Sequence, residues 1–269
     1  MKAPALRFPD PVREDLEAHR SGLAEETERM MRELAQPCIK ITSERVSDRP
    51  LRRNPLVSLF GGRAAEPVLG VAESKFGGIP YCDPDESWDD AHFLGQIDLG
   101  AATALLPPHV PKLKGLLRLD VRERLSTRWF PEIDRERSVT ARPRSSGDFE
   151  ARLRFELGWT IPEGDALEML WPRHDAPYYE YDGFFPPGYN DDANESHRLL
   201  GHRSAGLDEA YSEPMPHGLE VADCDFLLRL QLDVAAGFDW GTNWQHVIVP
   251  RDDLRRGDLS RAAVCSANC

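Results

Sequence analysis

A chain of 269 residues that is 41% hydrophobic and 29% charged holds enough apolar material for a buried core and too much for intrinsic disorder. The formal charge of −13 makes nucleic acid an unfavourable partner for the whole molecule, because phosphate repulsion opposes approach. The longest uncharged stretch, after Asp98, is broken by Pro107, Pro108 and Pro111, so no segment supplies the roughly 20 apolar residues of a membrane-spanning helix.

In chain order, the first predicted element is a helix. Asp10 suits its cap, Pro11 its first turn, and Glu14, Asp15 and Glu17 its positive dipole end. Leu16, Leu23, Met30 and Leu34 form a narrow apolar stripe that crosses Gly22 and closes before Pro37, as one bent helix or two. We take residues 1–37 as this helical segment and 38–269 as a single domain.

From Ile39 onward the period changes from helical to alternating. Phe93, Gly95, Ile97 and Leu99 alternate with Leu94, Gln96 and Asp98. Gly115–Val121 and Leu153–Leu157 repeat the pattern, and Leu228, Leu230, Leu232 and Val234 alternate with Arg229, Gln231 and Asp233. Strands without regular intervening helices predict an α+β fold with mixed or antiparallel sheets rather than a doubly wound one. The similarity of the strands suggests internal duplication, with pseudo-repeats near 70–125 and 197–255. Residues 137–149, with Arg142-Pro143-Arg144-Ser145-Ser146-Gly147, read as an exposed connection.

Ser74-Lys75-Phe76-Gly77-Gly78-Ile79-Pro80, then Trp88, then Phe93–Leu99 form an ordered set, followed much later by Leu199-Leu200-Gly201, Leu227–Asp233 and Trp240-Gly241. Together these resemble the YwqG-like family, a group of mostly bacterial domains of unknown function, over roughly residues 40 to 265. Two departures stand out: Asp89 follows Trp88 where that family usually has proline, and Thr242-Asn243-Trp244 follows Gly241 where an acidic residue and a second glycine are common. The resemblance implies an α+β fold, and its genomic habits imply an association with toxin, immunity or stress functions.

Trp88, Trp240 and Trp244 flank the Gln-x-Asp strands, where each indole either plugs the core or anchors a ligand. Gln96, Asp98, Gln231 and Asp233 either line a groove between the repeats or end strands and bond nearby amides. The stretch 178–189 holds four of the six tyrosines together with Gly183 and the Pro186-Pro187 pair, so it displays aromatics from a loop or folds over a sheet edge. Tyr179, Tyr181 and Phe185 are its candidate anchors for a partner. Between Tyr178 and Asp225 there are eleven acids and two arginines, which favours a basic protein partner, whereas 112–154 carries twelve bases and seven acids and reads as a solvated face.

Signatures of enzymes are missing: there is no Gly-x-Ser-x-Gly elbow, Walker loop, dinucleotide-binding glycine motif or His-Glu-x-x-His helix. Asp98, Asp233 and His246 remain as acid-base candidates for a hydrolase or transferase with a cleft between the repeats. The acids around Trp88 lack calcium-loop spacing, and Cys265-x3-Cys269 stands alone, so neither a metal nor a cofactor is expected. Five scattered cysteines without a secretion signal suit free thiols and a cytoplasmic protein, and the missing enzyme signatures favour a non-enzymatic binding module.

Overall fold

The computed structural model describes residues 10–47, 68–83, 86, 92–136, 144–145, 149–162, 197–202, 218–238 and 243–268. The N-terminal helix Asp10–Leu34 runs unbroken through Gly22. Leu23, Glu26, Thr27 and Met30 are buried on one side of it, the spacing of a single helix face.

Among the described residues eleven strands then form one sheet: β1 (Gln36–Arg45), β2 (Lys75–Phe76), β3 (His92–Asp98), β4 (Leu116–Val121), β5 (Leu125–Phe130), β6 (Arg144–Ser145), β7 (Ala151–Thr160), β8 (His197–Leu199), β9 (Cys224–Leu230), β10 (Asn243–Pro250) and β11 (Ala263–Asn268). Their spatial order is β11-β10-β9-β8-β1-β7-β2-β3-β4-β5, and every pairing along it is antiparallel. The predicted connection 137–149 carries β6, which adds a short parallel pairing to β3. The outermost strands approach each other, and the Thr127 hydroxyl of β5 donates to the Ala262 carbonyl just before β11 at 3.1 Å, so the sheet is a nearly closed barrel. This corrects the expectation of a plain α+β fold: among the described residues the sheet dominates and the helices are few. Local alternation is the same in an open sheet and a barrel, so the sequence pattern could not separate them.

The spatial order reads the same from either end. Outward from the centre, β1 is followed by β8, β9, β10 and β11, while β7 is followed by β2, β3, β4 and β5. The chain thus runs through two five-strand halves whose first strands have exchanged places. Equivalent strands share fine detail as well. Leu94 and Leu227 are each the extra residue of a bulge, and their carbonyls accept from Gly77 and Leu200 respectively, both at 2.8 Å. Gly77 and Leu200 both have positive φ, as do the glycines that follow them, Gly78 and Gly201.

The inward-facing residues, among them Ile39, Ile41, Phe76, Ile97, Leu117, Leu119, Leu199, Leu228, Leu230 and Val247, make one continuous core. No helix of the described residues is long and apolar enough to cross a membrane.

Candidate functional site

A cleft of about 680 Å³ opens where several strand ends meet. Its walls are the start of β1 (Gln36, Pro37), the loop His109–Leu113, the turn Leu200–His202 after β8, the start of β9 (Cys224–Phe226) and the helix Arg251–Arg256. Leu113, Leu200 and Leu254 belong to the main core or pack on it, so the floor of the cleft is the uncovered top of that core. Its volume falls in the range of small-ligand pockets.

The turn on the cleft wall is strained. Leu200 has φ 63°, a conformation that L-residues other than glycine rarely adopt. Its amide bond to the Leu227 carbonyl and the packing of its side chain on the core hold it there. Gly201 follows at φ 91°, where a Cβ would come within 2.6 Å of the Thr160 hydroxyl and 2.9 Å of the Cys38 Cβ. His202 then donates from its backbone amide to Thr160, and its ring meets the Leu34 carbonyl at 2.6 Å, tying the cleft to the N-terminal helix.

The rim is charged but internally matched. Arg251 pairs with Asp225 across the cleft edge at 3.1 Å, and Arg255 pairs with Asp252 on its own helix. Buried Asp253 receives both Arg256 and Arg261, which anchors that helix to the chain leading into β11. Largely apolar walls with a paired rim suit recognition of shape and apolar surface.

The sequence-predicted acid-base residues lie elsewhere and are not assembled with one another. Asp98 ends β3, accepts the Ala101 amide as the cap of the short helix Leu99–Thr103, and takes Arg135 at 2.5 Å. Asp233 accepts from the Ala236 amide, the Ser43 hydroxyl and His197 at 2.8, 2.7 and 2.9 Å. Burial pushes the Asp233 carboxyl up, but the hydrogen bonds from His197, Ser43 and Ala236 hold it below the usual carboxylate value. His246 is fully buried on the outer face of β10, edge-on to Phe226 and Trp244. Neither aspartate network includes it.

His197 is a partner that the sequence did not disclose, because it lies 36 residues from Asp233. Its Nδ1 receives the Gln231 amide at 3.0 Å. An amide can only donate, so Nδ1 carries the lone pair and Nε2 carries the proton that goes to Asp233. With both nitrogens engaged and the ring packed against Phe76 and Phe238, this pair fixes the β8–β9 junction and has no nitrogen left for a substrate.

Gln96 is fully buried and wholly used. Its oxygen accepts the Tyr81 amide at 2.8 Å, and its nitrogen donates to the Val71 and Glu73 carbonyls, pinning residues 71–81 across the outer face. The bulges and strand pairings equate Gln96 with Arg229 and Asp98 with Gln231. The two Gln-x-Asp segments that look alike in sequence are therefore two residues out of step in space. An even offset keeps each residue type on its face, which is why alternation alone could not detect it. The Asp98 and Gln231 amides confirm the pairing, donating respectively to the Ser74 hydroxyl and to His197.

Trp88, Trp240, Tyr179, Tyr181 and Phe185 lie outside the described residues. Trp244 stacks under Arg229, whose guanidinium carbon is 4.7 Å from the ring centre. Of the acids around Trp88, Glu86 pairs with Arg118 and Arg128 and Asp83 with Arg128, so these carboxylates meet arginines. Among the described residues no three His, Cys, Asp or Glu side chains converge as metal ligands, and Cys38, Cys82, Cys224 and Cys265 are buried. Compared with known proteins, the chain matches no family model and no curated sequence.

Proposed function

We propose that this chain is a cytoplasmic, non-enzymatic binding protein of the YwqG-like kind, built by internal duplication, which takes an apolar anchor of a basic protein partner into the cleft at the end of its barrel. The observation that carries this reading is the cleft itself, an opening of about 680 Å³ that exposes the top of the core between the Leu200 turn and the helix Arg251–Arg256. Asp98 and Asp233, the carboxylates best placed in sequence for acid-base work, are committed to caps and local pairs, which weighs against the hydrolase or transferase alternative. Charge argues for a basic partner: the molecule carries −13, and Asp225 on the wall follows exposed Glu220 and Asp223. A role beside toxins or in stress is the sharpest form of the same reading.

The test is cross-linked purification of the tagged protein from its native cells, comparing wild type, Val110→Glu and the triple variant Tyr179→Ala, Tyr181→Ala, Phe185→Ala. Val110 stands half-buried on the cleft wall, outside every described strand and helix, and packs on the main core, so its replacement places a charge in the cleft and the variant's far-ultraviolet circular dichroism and Tm are measured beside its binding. A partner recovered by wild type should fall about tenfold with Val110→Glu, the loss expected for about 1.4 kcal/mol. Full retention by Val110→Glu with loss in the triple variant moves binding to the aromatic loop and overturns the cleft. Absence of any protein enriched above control overturns the binding reading as a whole.

A further inference from the structure

β7 is paired on both sides only at its start. β2 meets it at Ala151 and Arg152, and the Leu153 amide donates to the carbonyl of Ser74, just before β2, at 3.2 Å. Beyond that point no described strand pairs with this edge, while β1 continues along the other edge to Thr160. Successive residues of a strand send their N–H and C=O groups to opposite edges. The Glu150 carbonyl faces β1, where it accepts the Val46 amide, and the Leu153 amide faces β2. Phe155, Leu157 and Trp159 therefore direct their backbone groups to the open edge.

Their side chains share one face, opposite Ile41, Ile39 and Pro37 respectively. Phe155 is half-buried, but Leu157 and Trp159 are 44% and 39% exposed. A proline, a bulge or a charge on the apolar face usually blunts such an edge, and residues 155–159 carry none of these. The duplicated strand β1 differs at the same positions. Lys75 and Arg198 stand opposite the equivalent residues Gln96 and Arg229, and they pair in turn with Arg152 and Lys40, which equates Phe155 with Ser43 and Leu157 with Arg45. The Ser43 hydroxyl donates to Asp233, and the Arg45 guanidinium donates to the Val234 and Ala235 carbonyls, so on β1 these positions are polar and spent on the turn after β9.

We propose that β7 pairs edge to edge, antiparallel, with β7 of a second copy of this chain. Centred on Leu157, the pairing sets Phe155 opposite the copy's Trp159, Leu157 opposite Leu157, and Trp159 opposite Phe155. The N–H and C=O groups of all these residues then find partners, and the aromatic pairs lie on one face. Charge fits this occupant. On the other face the centring places Arg154 against Thr160 and Glu156 against Gly158, so no like charges meet, whereas a slip of two residues toward Phe155 would set Glu156 against itself. That face of β1 and β7 carries Lys40, Arg152 and Arg154 with Glu44 and Glu156. Such a near-neutral mixture tolerates a copy of the same sequence and offers a basic partner no attraction.

Sedimentation equilibrium of the full chain over a wide range of concentration tests this, and a concentration-dependent dimer is expected. Leu157→Pro removes only the N–H that points to the open edge. The β1 ladder and the Tm should hold while the dissociation constant of the dimer rises about tenfold or more. Because proline also fixes φ, Leu157→Cys is the companion variant. Residues opposed in a hydrogen-bonded pair lie about 5.5 Å apart, within disulfide reach, so mild oxidation should trap this variant as a covalent dimer faster than wild type. Glu156→Cys, on the other face and opposite Gly158, should not be trapped. A monomer at every concentration overturns the second copy as occupant, whatever other strand the edge accepts. So does a Leu157→Cys protein that cross-links no faster than wild type or than Glu156→Cys, and so does a dimer that survives in folded Leu157→Pro.

Discussion

At the residue scale, the buried side chains with the most physical consequence are charged. Lys75 has no exposed surface, and burial pulls its ammonium down to about 8, against the opposing charges of Glu150 and Glu73. The unfolded chain holds this proton to about pH 10.5, so between those values the unfolded state binds more protons and stability rises with pH. Below pH 8 both states are protonated and the full cost of burying the charge is carried. Denaturant unfolding of wild type and Lys75→Met from pH 7 to pH 10.5 should therefore show a wild-type gain, relative to the variant, on the order of 3 kcal/mol across that window. A flat difference would mean that the lysine is not buried as a charge. The sequence displayed Lys75 inside its most recognisable motif but gave no sign that it was buried, because lysine on an alternating strand ordinarily faces water.

Turns and bulges decide the geometry at the scale of the element. Gly78 and Gly201 occupy equivalent positions, and each faces a side chain where a Cβ would stand: Glu150 for Gly78, Thr160 and Cys38 for Gly201. Gly201→Ala combines a disfavoured φ of +91° with that clash. It should cost about 2 kcal/mol, a fall in Tm of about 4–8 °C by thermal denaturation, and it should disturb the Leu200 wall of the cleft. An unchanged Tm would show that the turn relaxes freely. The Gly77-Gly78 pair was legible as a turn because adjacent glycines punctuate a strand pattern. Leu200 was not, since nothing local marks a leucine as left-handed; the bulge at Leu227 and the core beneath impose that conformation.

For the whole molecule, the exchange of first strands matters most. β1 lies between β8 and β7, so the first half of the chain contributes a central strand that is hydrogen-bonded on both sides by the second half. Neither half retains its own first strand, and the core runs through both without a break. Urea unfolding followed by tryptophan fluorescence and by far-ultraviolet circular dichroism should accordingly give one coincident transition. A separate early transition in either signal would show that the halves hold independently.

Propensity, alternation and charge are local properties, so the sequence by itself determined that a helix starts near Asp10, but it left open whether that helix runs unbroken to Leu34. It placed β3, β4, β7 and the turn at Gly77-Gly78, set the acidic balance of the molecule, and placed β9 while carrying its alternation past Leu230 to Leu232 and Val234, which are exposed beyond the strand. It suggested repetition but aligned the repeats two residues apart, since a shift of two preserves every face. Only the tertiary structure decided that the strands close toward a barrel, that the first strands are exchanged, and that Asp98 and Asp233 are consumed in separate networks. It also brought His197 to Asp233 and left the edge of β7 open beyond Leu153. Each of these depends on pairings between distant segments, and the free energy of such pairings resides in contacts that no local window of sequence contains.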